Sequence, residues 1–475
     1  MEQAQQEKRT YAALALITLF GGALRFYHLA ANSFWLDEMA TWYFSAAPSF
    51  RDWFQGYYAS HEPFPGTYYF FYFLWSKLFG ISEWAYRVPS ALAGTLAIPA
   101  LFLLGRRMGG AGVGLLAAAF TAVGWAPIYY SQDARPYALL FLFAGLYCSA
   151  VVGVIQKKGR ANEALFLLSA VGLTQLHYLG IFLFGLGIAF LLLCSIADRK
   201  VIPRIALWSS GLTFALYLPW LMRFISQLGY SPDNANIRQR SLWKTFTSFY
   251  KFCFFSDDQP QLLPFWLLYW LIMVLLLYFV FQAGKSRRRD LWMLLGWLVI
   301  PFFTLWLKSE FSQPAYRARY LIISLPAAIT ALACSLGLLF RSKPKSFAAA
   351  GALFTALFAG HVIYEFGYYS EARERKIESA FAEVSRRTEA SDLKLVTCAA
   401  NSKYLIYYIN RYPSLRARWE GKENCGLEPH SPRPLAMLFH FTEPVENYAE
   451  GMRALGWERV YGSRAEDYSL FIYRP

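Results

Sequence analysis

Asp37 and Glu38 stand side by side in Asn32-Ser33-Phe34-Trp35-Leu36-Asp37-Glu38, directly after a first apolar run. Two adjacent carboxylates at a membrane surface prefer water, and a solvated loop is their bland reading. Held near an apolar interface, one of them can instead take a proton from an attacking hydroxyl as a general base. His61 and Glu62 open a second polar point in the same loop, where Pro63 and Pro65 fix the entry of the next segment and need no further role. Arg87, in Glu83-Trp84-Ala85-Tyr86-Arg87-Val88-Pro89-Ser90, either snorkels to headgroups or grips a lipid phosphate through two parallel hydrogen bonds. The link Tyr129-Tyr130-Ser131-Gln132-Asp133-Ala134-Arg135-Pro136-Tyr137 is short and could be built from Gly and Asn. It holds Asp133, Arg135 and three tyrosines, Tyr129, Tyr130 and Tyr137, instead, groups suited to a sugar phosphate. Arg317 and Arg319, in Tyr316-Arg317-Ala318-Arg319-Tyr320, form another pair of cations at a span end. His177, in Gln175-Leu176-His177-Tyr178, sits at a span junction, where a satisfied structural histidine is the plainer reading.

The elements that must position these residues are set by composition. Of 475 residues, 56% are hydrophobic, 19% aromatic and only 16% charged, which departs from a soluble domain. The formal charge of +15 comes in short Lys and Arg clusters between apolar spans, so a nucleic-acid partner is not expected. Eleven apolar runs, near residues 11–29, 88–105, 110–128, 137–156, 164–176, 178–197, 202–222, 263–283, 290–307, 320–340 and 346–365, are candidate membrane spans. Phe64 to Gly80 is apolar enough to be a twelfth. If it does not cross, the clusters from Lys8 and Arg9 through Arg106, Lys157, Lys200, Arg288 and Lys343 all lie on one face, as the positive-inside rule demands. Its Tyr, Phe and Trp residues suit a helix at headgroup level on the outer side. With the sides so fixed, the carboxylates and the arginines of interest fall on the outer face, and the first span is expected to be retained.

Residues 369–475 have soluble composition, with a helical period around 372–388 and strand-like runs at 393–398, 435–440 and 468–473, the second followed by a helical stretch. A small outer α/β domain is expected there, after a membrane domain of residues 1–368 whose first outer loop is 30–87. Cys398 and Cys425 share this part, so a disulfide is permissible if it faces an oxidising compartment. There is no Gly-rich phosphate loop and no internal repeat, which leaves a transporter of inverted repeats little support.

The WLDE stretch after the first span, HEPFPGTYYFFYFLWSKLFG, SEWAYRVPSALAGTLAIPALFLLGRR, YSQDARPYALL and AYRARYLIISLPA follow one another in an order that resembles GT-C type polytopic glycosyltransferases. The group it resembles is the one related to the protein O-mannosyltransferases and to the bacterial transferase that adds aminoarabinose to lipid A. The resemblance implies a polyprenyl-phosphate sugar donor, an extracytoplasmic site in the first large loop and an inverting displacement. It implies Asp37 as base with Glu38 in support, and Arg135, Arg319 and Arg87 as donor-phosphate ligands. Glu62 departs from the pattern, since many relatives carry a second proline there. Arg317, His61, Glu62, Tyr130, Gln132, Asp133, Tyr137 and His177 complete the expected substrate-binding set.

The expected architecture is an α-helical polytopic membrane protein of about eleven spans, with outer juxtamembrane helices and the small tail domain. The expected activity moves a hexose or pentose to a lipid, glycan or protein hydroxyl at the outer face of a bacterial inner membrane, with the N-terminus cytoplasmic. No cofactor is predicted; carboxylates and one His in a loop are a weak metal signature. The rival classes are a lipid-linked sugar or lipid transporter, which would grip phosphate with the same arginines, and an envelope-complex scaffold working through its tail.

Overall fold

A computed structural model describes residues 2–60, 64–198, 204–227, 241–255, 260–286, 288–311, 316–365, 367–369, 377–388, 394–398, 406–412, 419–422, 435–440, 458–464 and 468–474. The helices in chain order are α1 (Glu2–Phe26), α2 (Leu36–Ser45), α3 (Phe50–Ala59), α4 (Gly66–Phe79), α5 (Glu83–Gly109), α6 (Ala111–Val123), α7 (Trp125–Tyr129), α8 (Tyr137–Ile155) and α9 (Arg160–Thr174). There follow α10 (Tyr178–Asp198), α11 (Arg204–Gln227), α12 (Leu242–Phe254), α13 (Leu263–Lys285), α14 (Arg289–Phe311), α15 (Leu325–Leu339) and α16 (Pro344–Gly360). The chain forms two compact units, one of Met1–Tyr27, Tyr57–Phe71 and Arg87–Tyr369, the other of His28–Gly56, Tyr72–Tyr86 and Ser370–Pro475.

In the first unit, α8 packs against α9 and α15, α1 against α6, and α15 against α6 and α13. The helices are apolar on more than one side. α13 buries Ile272 and Phe279 completely yet leaves Val274 and Leu277 about 60% exposed, and α11 likewise exposes Trp208 and Met222. Apolar surface of that extent is stable only against lipid. Six helices are long and apolar enough to cross a bilayer, and a seventh candidate is the pair α6 with the segment from Trp125 to Gln132. The chain is an integral membrane protein on these grounds. A helix runs through each of the eleven apolar runs.

Two departures from the sequence reading have local causes. The run at 110–128 is not one straight span. It breaks at Gly124, whose backbone is extended, and the two halves meet at 59°. Pro127 has no N–H to return to the Val123 carbonyl, so the helix ends there. The second departure is α12, which falls where only a connecting loop is expected. Its 13 residues are too short for a span, but it buries Thr245, Phe249, Tyr250, Phe252 and Cys253. α4 has 14 residues, roughly 21 Å at 1.5 Å per residue, short of the ~30 Å hydrocarbon core.

In the second unit, α17 (Ile377–Thr388) and the one-turn α18 (Ile406–Ile409) accompany β1 (Lys394–Cys398), β2 (Trp419–Lys422), β3 (Leu435–His440), β4 (Glu458–Arg464) and β5 (Tyr468–Arg474). The strands form one sheet in the order β2-β1-β3-β5-β4. β1 runs parallel to β2 and β3, with Val396 opposite both Glu420 and Met437. β5 runs antiparallel to β3 and β4. The three interior strands are those read from sequence. The two edges, Trp-Glu-Gly-Lys and Glu-Arg-Val-Tyr-Gly-Ser-Arg, carry charge and little alternation, as edge strands do. The helical stretch expected after β3 and the Cys398 to Cys425 pairing lie outside the described residues.

Candidate active site

In the first unit, three chain segments converge on an imidazole. His177 occupies the link between α9 and α10 and is fully buried. The turn that carries it is tight, because a Cβ on Gly180 would lie 1.9 Å from the Leu173 carbonyl oxygen. The His177 ring lies 4.6 Å from Phe64, 4.2 Å from Tyr178, 5.8 Å from Tyr320 and 6.4 Å from Tyr137, centre to centre. Arg135 lies over Phe64 at 5.0 Å and Arg319 over Tyr137 at 5.9 Å. Both guanidinium groups act on the imidazole: burial first, then Arg135 and Arg319, hold His177 well below the usual histidine range. Its Nδ1 accepts the Leu179 backbone N–H at 3.1 Å. The proton of the neutral ring therefore resides on Nε2, which has no hydrogen-bond partner among the described residues. The result is an oriented N–H donor within electrostatic reach of two guanidinium groups, a combination that fits an anionic oxygen.

The link from Tyr130 to Pro136 is held from several sides. Tyr130 is buried against Tyr137 at 5.2 Å and Phe252 of α12 at 5.8 Å. Tyr68 Oη donates to the Ala134 carbonyl at 3.0 Å and Ser90 Oγ to the Arg135 carbonyl at 3.4 Å. Asp133 is buried, and its carbonyl accepts the Arg135 N–H at 2.8 Å. Gln132, expected to meet substrate, has its amide engaged elsewhere. Nε2 donates to the carbonyls of Leu24, Arg25 and Tyr27 at 3.3, 3.0 and 2.8 Å, while Oε1 accepts from Tyr368 at 3.0 Å. Gln132 is thus a clasp between this link and the end of α1.

Two arginines that sequence reasoning passed over hold helix ends. Arg25 is fully buried in α1 and donates to the carbonyls of Thr121 at 2.7 Å and Ala122 at 3.1 Å, which the break at Gly124 leaves without helical partners. Arg223 in α11 donates to the carbonyls of Tyr57, Tyr58 and Ser60 at 3.0, 3.1 and 2.7 Å. Both resemble span residues in sequence, and only the helix ends opposite them reveal their use. Gln175 was passed over as well; its side-chain oxygen accepts from Thr67 at 2.8 Å and Trp220 at 2.9 Å, tying α4 and α11 to the His177 link. Of the remaining expected ligands, Arg87 is buried near the start of α5. Arg317 is exposed. His61 and Glu62 lie outside the described residues.

The second unit carries the carboxylates. Asp37 and Glu38 occupy the first turn of α2, where the helix dipole favours negative charge. Glu38 is fully buried, and its Oε2 accepts the Trp35 N–H at 3.2 Å, closing the helix start. Asp37 is half-buried one position earlier. Glu38 is thus structurally committed, and Asp37 is the more accessible of the pair. Among the described residues no three His, Cys, Asp or Glu side chains converge as a metal-binding group.

Residues 62–222 match the family model described as dolichyl-phosphate-mannose-protein mannosyltransferase. The match takes in the second block from Glu62 onward and the whole of the third and fourth blocks of the sequence pattern. No curated protein matches the chain. Among solved structures, the chain is similar to ArnT from Cupriavidus metallidurans in the apo state, with 12% identity over 99% of this chain and 98% of that one and a TM-score of 0.54. The same protein bound to undecaprenyl phosphate gives 13%, 96% and 97%, with a TM-score of 0.51. The oligosaccharyltransferase of Archaeoglobus fulgidus in the apo form gives 14% identity over 88% of this chain and 61% of that one, with a TM-score of 0.53. At these identities the structural likeness is one of fold, and it runs nearly end to end with ArnT. The resemblance to GT-C type polytopic glycosyltransferases is therefore carried by both sequence and fold.

Proposed function

We propose that this chain is a glycosyltransferase that moves a sugar from a polyprenyl-phosphate donor to a hydroxyl of a lipid, glycan or protein acceptor. The observation that carries the reading is the pairing of Arg135 and Arg319 about the buried His177, a set of donors matched to a lipid phosphate. The match to a mannosyltransferase family and the fold shared with a protein that binds undecaprenyl phosphate support it.

In the proposed reaction, Asp37 takes the proton of the acceptor hydroxyl. The oxygen attacks the anomeric carbon from the face opposite the donor phosphate, inverting it. The bond between that carbon and the phosphate oxygen breaks, and polyprenyl phosphate leaves with the electron pair. Arg135, Arg319 and the His177 Nε2–H stabilise the charge gathering on the leaving phosphate. Arg87 serves as a further phosphate ligand, Tyr130 and Tyr137 line the sugar side, and Glu38 keeps the Asp37 turn in place. The proposed topology has eleven spans, a cytoplasmic N-terminus, and an extracytoplasmic first loop and tail in a bacterial inner membrane.

Asp37→Asn tests the reading. Cells carrying only this variant should accumulate a polyprenyl-phosphate-linked sugar in lipid extracts, while the purified variant binds undecaprenyl phosphate as the unaltered protein does. Normal carrier consumption in those cells would remove Asp37 as base; a transporter would show it.

A further inference from the structure

The second unit contains a polar network that joins the tail to the turn bearing the two carboxylates. Tyr408 of α18 is completely buried. Its hydroxyl accepts the Phe34 backbone N–H at 2.5 Å and lies 3.2 Å from the Glu83 carboxylate, to which it donates. One hydrogen bond accepted and one donated make this a directional contact rather than a packing accident. Burial, then the Glu83 carboxylate, pushes the Tyr408 hydroxyl up, so it remains a donor throughout the ordinary pH range.

Arg411, at the end of the same turn, forks between Glu83 at 2.9 Å and Glu378 at 2.7 Å. The backbone N–H of Glu378 donates to Ser33 Oγ at 3.2 Å. The Tyr407 ring lies 5.0 Å from both Phe34 and Trp42. Tail residues therefore hold Ser33 and Phe34 on one side of the Asp37-Glu38 pair and Trp42 on the other. A side chain is placed no better than the backbone under it, and this backbone is anchored from a segment more than 300 positions later in the chain.

We propose that Tyr408 and Arg411 are positioning residues for Asp37, and that the tail is a clamp setting the pose of the turn that carries the base. The inference rests on the reading of Asp37 as base. Misplacing a catalytic group by about 1 Å costs on the order of a hundredfold in rate, so a loosened clamp acts on turnover without touching phosphate binding.

Tyr408→Phe keeps the ring and removes the hydroxyl. In the full-length variant in lipid nanodiscs, amide hydrogen exchange at residues 34–38 should quicken about tenfold. Binding of undecaprenyl phosphate should stay within about twofold of the unaltered protein. Cells carrying only the variant should accumulate carrier-linked sugar as Asp37→Asn cells do. A merely structural tie would weaken carrier binding along with turnover, and that result overturns the proposal. So does unaltered exchange at 34–38, or quicker exchange with normal carrier use. If Asp37→Asn itself leaves carrier use normal, the functional reading falls, and exchange at Phe34 alone then decides whether the tail clamps the turn. Where Tyr408→Phe is not recovered folded, Arg411→Gln keeps the buried hydroxyl and takes the same readouts, with exchange expected to quicken about threefold.

Discussion

His177 shows how little of a residue's chemistry its type declares. A histidine at a span junction suggested a satisfied structural group, and its position beside Tyr178 added nothing to decide otherwise. The Leu179 N–H fixes which nitrogen carries the proton, and burial with two guanidinium groups fixes that the ring is neutral. If its Nε2–H donates to the carrier phosphate, Gln at position 177, whose amide reaches the same place, should bind undecaprenyl phosphate within about threefold. Phe should bind it about tenfold more weakly, since a hydrogen bond to a charged group contributes ~1.5–3 kcal/mol; equal affinity of His177→Phe and the unaltered protein in a titration would end the assignment. The sign of the pH effect follows. A histidine near 6.5 when unfolded and lower when folded binds its proton in the unfolded chain first, so its contribution to stability is full above about 6.5 and declines as pH falls. The thermal midpoint of the unaltered protein should therefore fall more between pH 7 and 5 than that of His177→Gln, as differential scanning fluorimetry would read. Asp37, Arg135 and Arg319 stand out in the sequence as candidates because charge at a span end is itself anomalous. The bonds of Gln132 to the carbonyls at the end of α1 could not be read there, since an amide that meets substrate and one that meets backbone carbonyls are the same letter until α1 is brought beside it.

At the level of elements, hydropathy located the runs that become the six long apolar helices, because crossing lipid needs apolar length and little else. It could not show that one run breaks, although Gly124 and Pro127 lie in it. The break lets the link from Tyr130 to Arg135 begin inside the first unit, against α5. Gly94 makes room for it: a Cβ there would lie 1.8 Å from Ser131 Oγ and 3.0 Å from Arg25 Nε. Gly94→Ala should cost about 1–3 kcal/mol by overpacking and weaken undecaprenyl phosphate binding by shifting Arg135. Gly296→Ala is the control, as its Cβ would meet only Ile300 at an ordinary 3.5 Å. If thermal midpoint and binding respond alike in the two variants, Gly94 has no such part. α12 escaped the sequence reading because a short helix that is apolar on one face has neither the length of a span nor the polarity of a loop.

For the molecule as a whole, chain order and compactness follow different lines. Sequence composition sets residues 369–475 apart as one block. Compactness groups 370–475 with two pieces of the first loop, because Tyr408, Arg411 and Glu378 bond to residues that precede them by hundreds of positions. No pattern within either stretch announces its partner, so this pairing could not be read from a single sequence. The proposed topology places both pieces outside, and a reporter fused after Pro475 should be active in the extracytoplasmic compartment; a cytosolic signal would overturn the outside placement of the tail and reopen whether Phe64 to Gly80 crosses. A last consequence concerns manufacture. Arg25 is synthesised 97 residues before the Ala122 carbonyl it binds, an interval of roughly 5 to 20 s at 5–20 residues per second. Through that time its guanidinium has the carbonyl of Gly21 within its own helix but not those of α6, and an arginine in an apolar helix lowers its tendency to stay in lipid. α1 is therefore made well before the helix end it caps, and its place becomes secure only when α6 arrives with a bare end to cap.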